Sequence, residues 1–207
     1  MEIFSEKQIK ILEIAEKLFS QKGFDGTSIR EISATANVNV AMVSYYFGSK
    51  EKLLESLIVY RTSDLKNKLE TIPDENSTVV EKIEKFISLY IQRIHDNIAF
   101  HHILLFEISS KKRAMDFESF TKIKKANIES LEKIIFQGQS EGIFKKDINI
   151  AMIIPTILGT YFYFQMNKPF FAETLNLVSE DEHINYVQFQ LINHIQQTIK
   201  SLLLYAN

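Results

Sequence analysis

The sequence predicts an all-α fold in which three short helices within residues 1–48 precede a larger helical domain in residues 49–207. Only 6 Gly and 3 Pro punctuate the 207 residues, and apolar side chains recur at three- and four-residue spacings through long stretches. No hairpin signal lies between alternating runs, because Asp25-Gly26 separates two helical patterns. Hydrophobic residues make up 45% and charged residues 24%, the composition of a chain able to bury a core.

The first helix is expected from about Ser5 to Lys22, with Ile11, Leu12, Ala15, Leu18 and Phe19 on one stripe. Gly23 ends it, and Phe24 folds back onto the stripe. Ser28-Ile29-Arg30-Glu31 has the form of a capping box, opening a second helix that buries Ile29, Ile32 and Ala36. Asn37 tolerates a left-handed turn, Val38 plugs the corner, and Asn39 caps a third helix through Phe47. Two short helices joined by a tight turn make a helix-turn-helix. Gly48-Ser49 break and recap the chain before a long helix from Lys50 to about Glu70, lined by Leu53, Leu54, Leu57, Ile58 and Leu65. After a loop around Pro73, helices are expected over about 78–96, 98–109, 116–138, 148–167 and 180–205.

Several chemistries are excluded or disfavoured. The absence of cysteine rules out disulfides, thiolate metal ligands and cysteine nucleophiles. Glu2, Glu6, Lys7, Lys10 and Glu13 make the start of the chain unlike a secretory leader, so a cytoplasmic protein is expected. The stretch from Ile148 to Asn167 runs 20 residues without formal charge, about the length of a bilayer span. Its Asn149, Pro155, Thr156, Thr160, Gln165 and Asn167 favour a buried helix instead, with a membrane-associated helical protein as the alternative reading. No phosphate loop, nucleophile elbow or carboxylate pair is present, so no enzyme is expected, and no cofactor. His95, His101 and His102 lack metal-ligand spacing, since adjacent helical residues diverge by about 100°, and no metal site is expected. Lys111-Lys112-Arg113 with Lys122, Lys124 and Lys125 reads as a solvated basic loop and helix face.

The span Ile11 to Leu54, with Phe19, Gly23-Phe24, Gly26-Thr27-Ser28, Ile32, Val38, Val43, Tyr45-Tyr46-Phe47 and Ser49-Lys50-Glu51-Lys52-Leu53-Leu54, resembles the TetR family of bacterial repressors. A helix-turn-helix, an aromatic cluster and a Ser-Lys-Glu helix start follow one another in fixed order. The rest of the chain is similar to the family only in being helical and of suitable length. Where Asn37 stands the family often has glycine, and where Val40 and Met42 stand it often has polar or small residues. The resemblance implies a helix-turn-helix DNA-binding head on a helical ligand-binding and dimerisation domain. It implies a homodimeric repressor of palindromic double-stranded operator DNA, released by a small-molecule effector; a ligand-independent regulator is the alternative within the family.

In such a head the third helix lies in the major groove, its N-terminal residues nearest the base edges. With Val43 and Phe47 inward, the exposed candidates are Asn39, Val40, Ala41, Met42, Ser44, Tyr45 and Tyr46. Val40, Ala41 and Met42 suit thymine methyl groups. The resemblance gives Arg30 a base contact and Ser28, Tyr45, Tyr46 and Lys50 phosphate contacts. Charge does not advertise this role. The net charge is −2, and residues 1–55 hold 7 Lys and Arg against 8 Asp and Glu, so few well-placed groups must carry the binding.

A single short helix reads few base pairs, so a second copy is expected on a palindrome. Ile184, Val187, Leu191, Ile195, Ile199 and Leu202 form a stripe beside Gln188, Gln190, Asn193, Gln196 and Gln197, the uncharged pattern expected of a subunit interface. Abundant aromatics suggest an apolar or flat effector. Candidate ligand residues are Tyr60, Tyr90, His102, Phe106, Phe120, Asn127, Thr160 and Tyr163.

Overall fold

A computed structural model describes residues 4–110 and 118–205. Its helices are α1 (Glu6–Lys22), α2 (Ile29–Ala36), α3 (Val40–Phe47), α4 (Lys50–Thr71), α5 (Val79–His95), α6 (Ile98–Ser110), α7 (Glu118–Ser140), α8 (Ile153–Met166), α9 (Lys168–Thr174), α10 (Glu180–Asn185) and α11 (Ile192–Leu203). A π-helical segment, Tyr186–Leu191, joins α10 to α11 without a break. The chain divides into two compact units. The first comprises the described parts of Met1–Asp64 and Asp96–Lys124, the second those of Leu65–His95 and Lys125–Asn207.

In the first unit the stripe of α1 meets Ile32 and Ala36 of α2, Val43 and Phe47 of α3, Leu53, Leu54, Leu57 and Ile58 of α4, and Phe100, Ile103 and Leu104 of α6. Helix ends are fixed by side chains. Ser5 and Gln8 form a reciprocal capping box on α1. Ser28 accepts from the Glu31 N–H at 3.1 Å, but the Glu31 carboxylate turns to Lys22, so only half of the expected box on α2 forms. Asn37 is left-handed at φ 56° and ψ 47°, and Asn39 Oδ1 accepts from the Met42 N–H at 2.7 Å. Such an N-cap contributes about 1 kcal/mol. Between α3 and α4, Gly48 has φ 77° and ψ −69°, and the Ser49 N–H donates to the Phe47 carbonyl at 2.9 Å. This is a γ-turn of the strained, positive-φ kind, which glycine adopts without a Cβ clash.

The second unit is built on α5, α8 and α11, whose buried faces include Ile83, Phe86 and Ile91, then Ile157, Tyr161 and Phe164, then Ile195 and Ile199. Lys82, buried on α5, donates from Nζ to the Pro73 carbonyl at 2.7 Å and to Gln137 Oε1 at 3.0 Å. Four boundaries differ from the sequence expectation. The uncharged stretch is not one helix: a 3-10 turn, Ile150–Met152, precedes the 14 residues of α8, and no helix among the described residues is long and apolar enough to cross a membrane. Lys168-Pro169 begins α9 instead of breaking the chain, because proline is favoured in a first helical turn, where its missing N–H is not required. The helix expected to stop at Gly138 continues to Ser140, and a Cβ at 138 would lie 2.1 Å from the Phe144 ring, so this glycine permits close packing within a helix. The last helix ends at Leu203, followed by an isolated bridge between Leu204 and Phe144.

A partly buried polar cluster is built around α8. His95 Nδ1 lies 3.0 Å from the Tyr161 hydroxyl, and His183 Nε2 lies 3.4 Å from Gln165 Oε1. The His183 ring stacks on Phe164 at 4.9 Å, and its Nδ1 is buried with no hydrogen-bond partner. An amide oxygen facing Nε2 calls for a proton on that nitrogen, which leaves Nδ1 as a bare acceptor. Burial, and secondarily the charge of Lys168, holds the His183 pKa below its ordinary value, against a smaller opposing effect of Glu180. The neutral ring is therefore favoured by folding, and the unfolded chain binds the proton first as pH falls. Stability conferred by the neutral ring is complete above the unfolded-state pKa of about 6.5 and declines below it. Thermal melting should thus weaken between about pH 7.5 and 5.5, and His183→Gln should flatten that dependence; equal slopes in both proteins would refute it.

Candidate nucleic-acid interface

The helix-turn-helix candidates fall into an exposed set and an anchored set. Asn39, Val40, Ala41, Ser44 and Tyr45 of the turn and α3 are exposed, Tyr45 at 84%, while Met42 and Tyr46 are half-buried. Val43 and Phe47 occupy the core, so the helix presents its remaining faces to solvent. Tyr46 packs against the first unit's core, its ring 5.5 Å from Tyr45 and 6.2 Å from Phe47. Its hydroxyl stands on a ring the protein already holds. Ser28 combines exposure with capping: its oxygen accepts from the Glu31 N–H, leaving the O–H to donate. Arg30 is exposed in the first turn of α2 and has no ion-pair partner among the described residues, because the neighbouring Glu31 is taken by Lys22.

Lys50, a candidate phosphate contact, also makes contacts within the protein. Its ammonium donates to the carbonyl oxygens of Phe24 and Thr27, both at 2.7 Å, and lies 4.2 Å from the centroid of the Phe24 ring. Thr27 is itself buried, its hydroxyl directed to the Gly23 carbonyl at 2.9 Å and the Leu18 carbonyl at 3.2 Å. The first residue of α4 thereby ties down the loop between α1 and α2. Nothing in the local sequence announces this tether, since its partners are backbone carbonyls more than twenty residues away.

Several acidic residues of the head are also engaged. Glu16 accepts from Arg61 through Nε at 2.7 Å and through a terminal nitrogen at 2.6 Å, with both side chains largely buried. Glu13 accepts from the Tyr60 hydroxyl at 3.3 Å. These contacts direct two carboxylates of α1 onto α4 and answer part of the charge deficit of the segment.

The candidate ligand residues fall in both units. In the first unit His102 and Phe106 line a cleft of about 280 Å3 between α1 and α6. Tyr60 packs edge-on against Phe4, and Phe120 lies under the Lys124 ammonium at 4.7 Å, so both belong to other surroundings. In the second unit Tyr90 and Asn127 are buried; burial raises the Tyr90 pKa, with the Asn127 side chain opposing it, and Asn127 Oδ1 has no partner. Thr160 donates to the Thr156 carbonyl at 2.9 Å, and Tyr163 is 63% exposed. Aromatic abundance did not distinguish core rings from cavity walls.

The stripe assigned to a second copy is also divided. Val187, Leu191, Ile195 and Ile199 are buried inside the protomer, Ile184 is half-buried, and only Leu202 is exposed. A side chain already covered by its own unit is not available to a partner. From 188 to 197 the exposed residues are Gln188, Phe189, Gln190, Asn193, His194 and Gln197, and on α8 Tyr163 and Met166 are exposed. Among the described basic residues, Lys122 pairs with Glu118 at 2.7 Å and Lys125 is exposed; Lys111, Lys112 and Arg113 lie outside the described residues.

The comparisons with known proteins agree with this architecture. Residues 11–57 match the family described as bacterial regulatory proteins, tetR family, and residues 80–197 match the tetracyclin repressor-like C-terminal domain. The chain is 30% identical over 169 residues to the HTH-type transcriptional repressor NicS of Pseudomonas putida, covering 76% of this chain and 75% of that protein. It is 40% identical over 93 residues to the probable HTH-type transcriptional regulator YttP of Bacillus subtilis, a match spanning 45% of this chain and 42% of that protein. The Bacillus subtilis regulator FadR, solved in complex with stearoyl-CoA, superposes with a TM-score of 0.67 at 18% identity, covering 94% of this chain and 96% of that one.

The tether and the exposed arginine separate by experiment. Lys50→Met removes charged hydrogen bonds worth roughly 1.5 to 3 kcal/mol each and should lower the melting temperature of the whole protein. Arg30→Ala should change stability by no more than about 0.5 kcal/mol. Melting curves check both, and an unchanged Lys50→Met midpoint would count against the tether.

Proposed function

Because the chain belongs to the TetR family of bacterial regulatory proteins, we propose that it is a cytoplasmic transcriptional repressor that binds palindromic operator DNA as a homodimer and is released by a small apolar or aromatic effector. Residues 1–48 form the DNA-binding domain in this reading, and residues 49–207 bind the effector and the second copy. The observation that carries it is the third helix, which exposes Asn39, Val40, Ala41, Ser44 and Tyr45 while Val43 and Phe47 lock its inner face.

Val40, Ala41 and Met42 pack on thymine methyl groups, and Arg30 takes a guanine edge, a contact worth roughly 1 to 3 kcal/mol of discrimination. Ser28, Tyr45 and Tyr46 donate to phosphates. Lys50 holds the loop whose end is Ser28, and its remaining N–H serves a phosphate. Few cations are involved, so the salt dependence is shallow, with about one unit of slope for each phosphate neutralised.

Dimerisation draws on the last helices. The exposed positions from Gln188 to Gln197 include Phe189 and carry no Lys, Arg, Asp or Glu, as do the exposed Tyr163 and Met166 of α8. Depletion of charge around exposed aromatics is the composition of an interface core. Ile184 and Leu202 contribute at its margins.

Effector binding rests on the family and on buried polar groups among apolar walls. Tyr90 and Asn127 in the second unit are the strongest polar pair for orienting a ligand there, because Asn127 Oδ1 is buried without a partner. An acyl chain of the type named for the FadR complex is one apolar ligand to be tried.

Selection of bound fragments from random DNA tests the reading. Enrichment of a palindrome with thymine in each half-site is expected, and failure to enrich any palindrome at low salt defeats it. Arg30→Ala should then lose roughly ten- to hundredfold in affinity with relaxed preference at one position, read by titration at fixed salt.

A further inference from the structure

We propose that the Lys82 ammonium is a latch coupling the polar pair Tyr90 and Asn127 to the C-terminal end of α4, an inference that rests on the reading of that pair as the effector site. Helix α4 runs without a break from Lys50 to Thr71, and the 3-10 turn Ile72–Asp74 follows it with Ile72 fully buried. The last turns of α4 and this corner belong to the second unit, as do α5 and most of α7. Lys82 of α5 donates both to the Pro73 carbonyl of the corner at 2.7 Å and to Gln137 Oε1 of α7 at 3.0 Å. One side chain therefore joins α5, the corner after α4, and α7.

A lysine is not needed there to fill space. It is 4% exposed and has no carboxylate partner among the described residues, and burying a charge without a counter-ion is unfavourable. An apolar residue of similar volume would pack without that cost. What the ammonium adds is two directed, charge-assisted hydrogen bonds to acceptors on separate segments. Gln137 is itself oriented for this role: its Nε2 donates to Glu141 Oε1 at 2.7 Å, which turns Oε1 toward Lys82.

Tyr90 and Asn127 lie on the same two helices. Both are buried, and the Asn127 side chain is close enough to the Tyr90 hydroxyl to act on its pKa. Lys82 to Tyr90 is about 12 Å along α5, and Asn127 to Gln137 about 15 Å along α7. Positions that fall along α5 rise along α7, so the two helices are antiparallel and bridged at two levels. A group wedged between Tyr90 and Asn127 displaces α7 from α5, and Gln137 moves with its helix. The ammonium then either follows Gln137 or keeps Pro73, and in both cases the corner after α4 is held differently.

Hydrogen exchange in the full-length chain, without DNA or ligand, reads the coupling. Asn127→Leu perturbs the bridge to Tyr90, Gln137→Leu and Lys82→Met open the latch, and Gln137→Glu tightens it by placing a carboxylate on the ammonium. Asn127→Leu should speed exchange across residues 70–76 by at least about threefold, and should add nothing once Gln137→Leu or Lys82→Met is present. Gln137→Glu should slow exchange there and blunt the effect of Asn127→Leu. Substitutions more than about 10 Å apart normally act independently, so a latch that merely stabilises the fold predicts additive effects. The proposal is overturned if Asn127→Leu leaves residues 70–76 unchanged, or if its effect is as large in the Gln137→Leu and Lys82→Met chains as in the unaltered one. Either result leaves the effector reading standing, whereas a chain that binds no effector defeats that reading without altering this exchange pattern.

Discussion

The Lys50 ammonium, held between the carbonyls of Phe24 and Thr27 and over the Phe24 ring, fixes how the helices of the first unit are joined. A backbone carbonyl in a loop has no helical partner, and a cation is the strongest donor available to it. One side chain at the start of α4 thereby satisfies two loop carbonyls between α1 and α2. The γ-turn at Gly48 brings that side chain into reach directly after α3. A strained turn and a charged tether follow directly on α3, so its orientation is set by the chain at its C-terminal end and by the burial of Val43 and Phe47. Pre-set geometry of this kind matters for a head with little positive charge, which has little electrostatic attraction to spare for reorganisation on DNA.

The same economy governs the acids of the head. Glu13, Glu16 and Glu31 are each engaged by Tyr60, Arg61 or Lys22. The Arg61 contact is largely buried and uses two nitrogens on one carboxylate oxygen, so it persists in salt better than an exposed pair. The nominal balance of charge therefore overstates the repulsion that DNA would meet.

In the second unit, burial rather than charge sets the arrangement. His183, Val187, Leu191, Ile195, Ile199 and Leu203 are buried at a constant spacing of four, which an α-helix of 3.6 residues per turn does not hold on one face. The wider i→i+5 turns of Tyr186–Leu191 take up part of that drift, and Tyr186 there stacks on Phe164 at 5.4 Å. The internal stripe and the uncharged exposed positions from Gln188 to Gln197 are consequences of the same helix: what faces inward stabilises the protomer, and over that stretch what faces outward carries no Lys, Arg, Asp or Glu.

The sequence by itself determined the helical class, the three-helix head, its caps at Ser28 and Asn39, the left-handed Asn37 and the inward Val43 and Phe47, because these depend on neighbours within a few residues. It also carried the family resemblance, whose motifs are local. Tertiary structure alone decided the carbonyl contacts of Lys50, the loss of half the α2 capping box to Lys22 and the burial of most of the apolar stripe of the last helices within the protomer. Periodicity shows that a helix has an apolar face but not what covers it, since a protomer's own helix and a partner's make the same demand on sequence. A cation likewise carries no mark of a carbonyl more than twenty residues away, and such a contact is settled only when the chain closes around it.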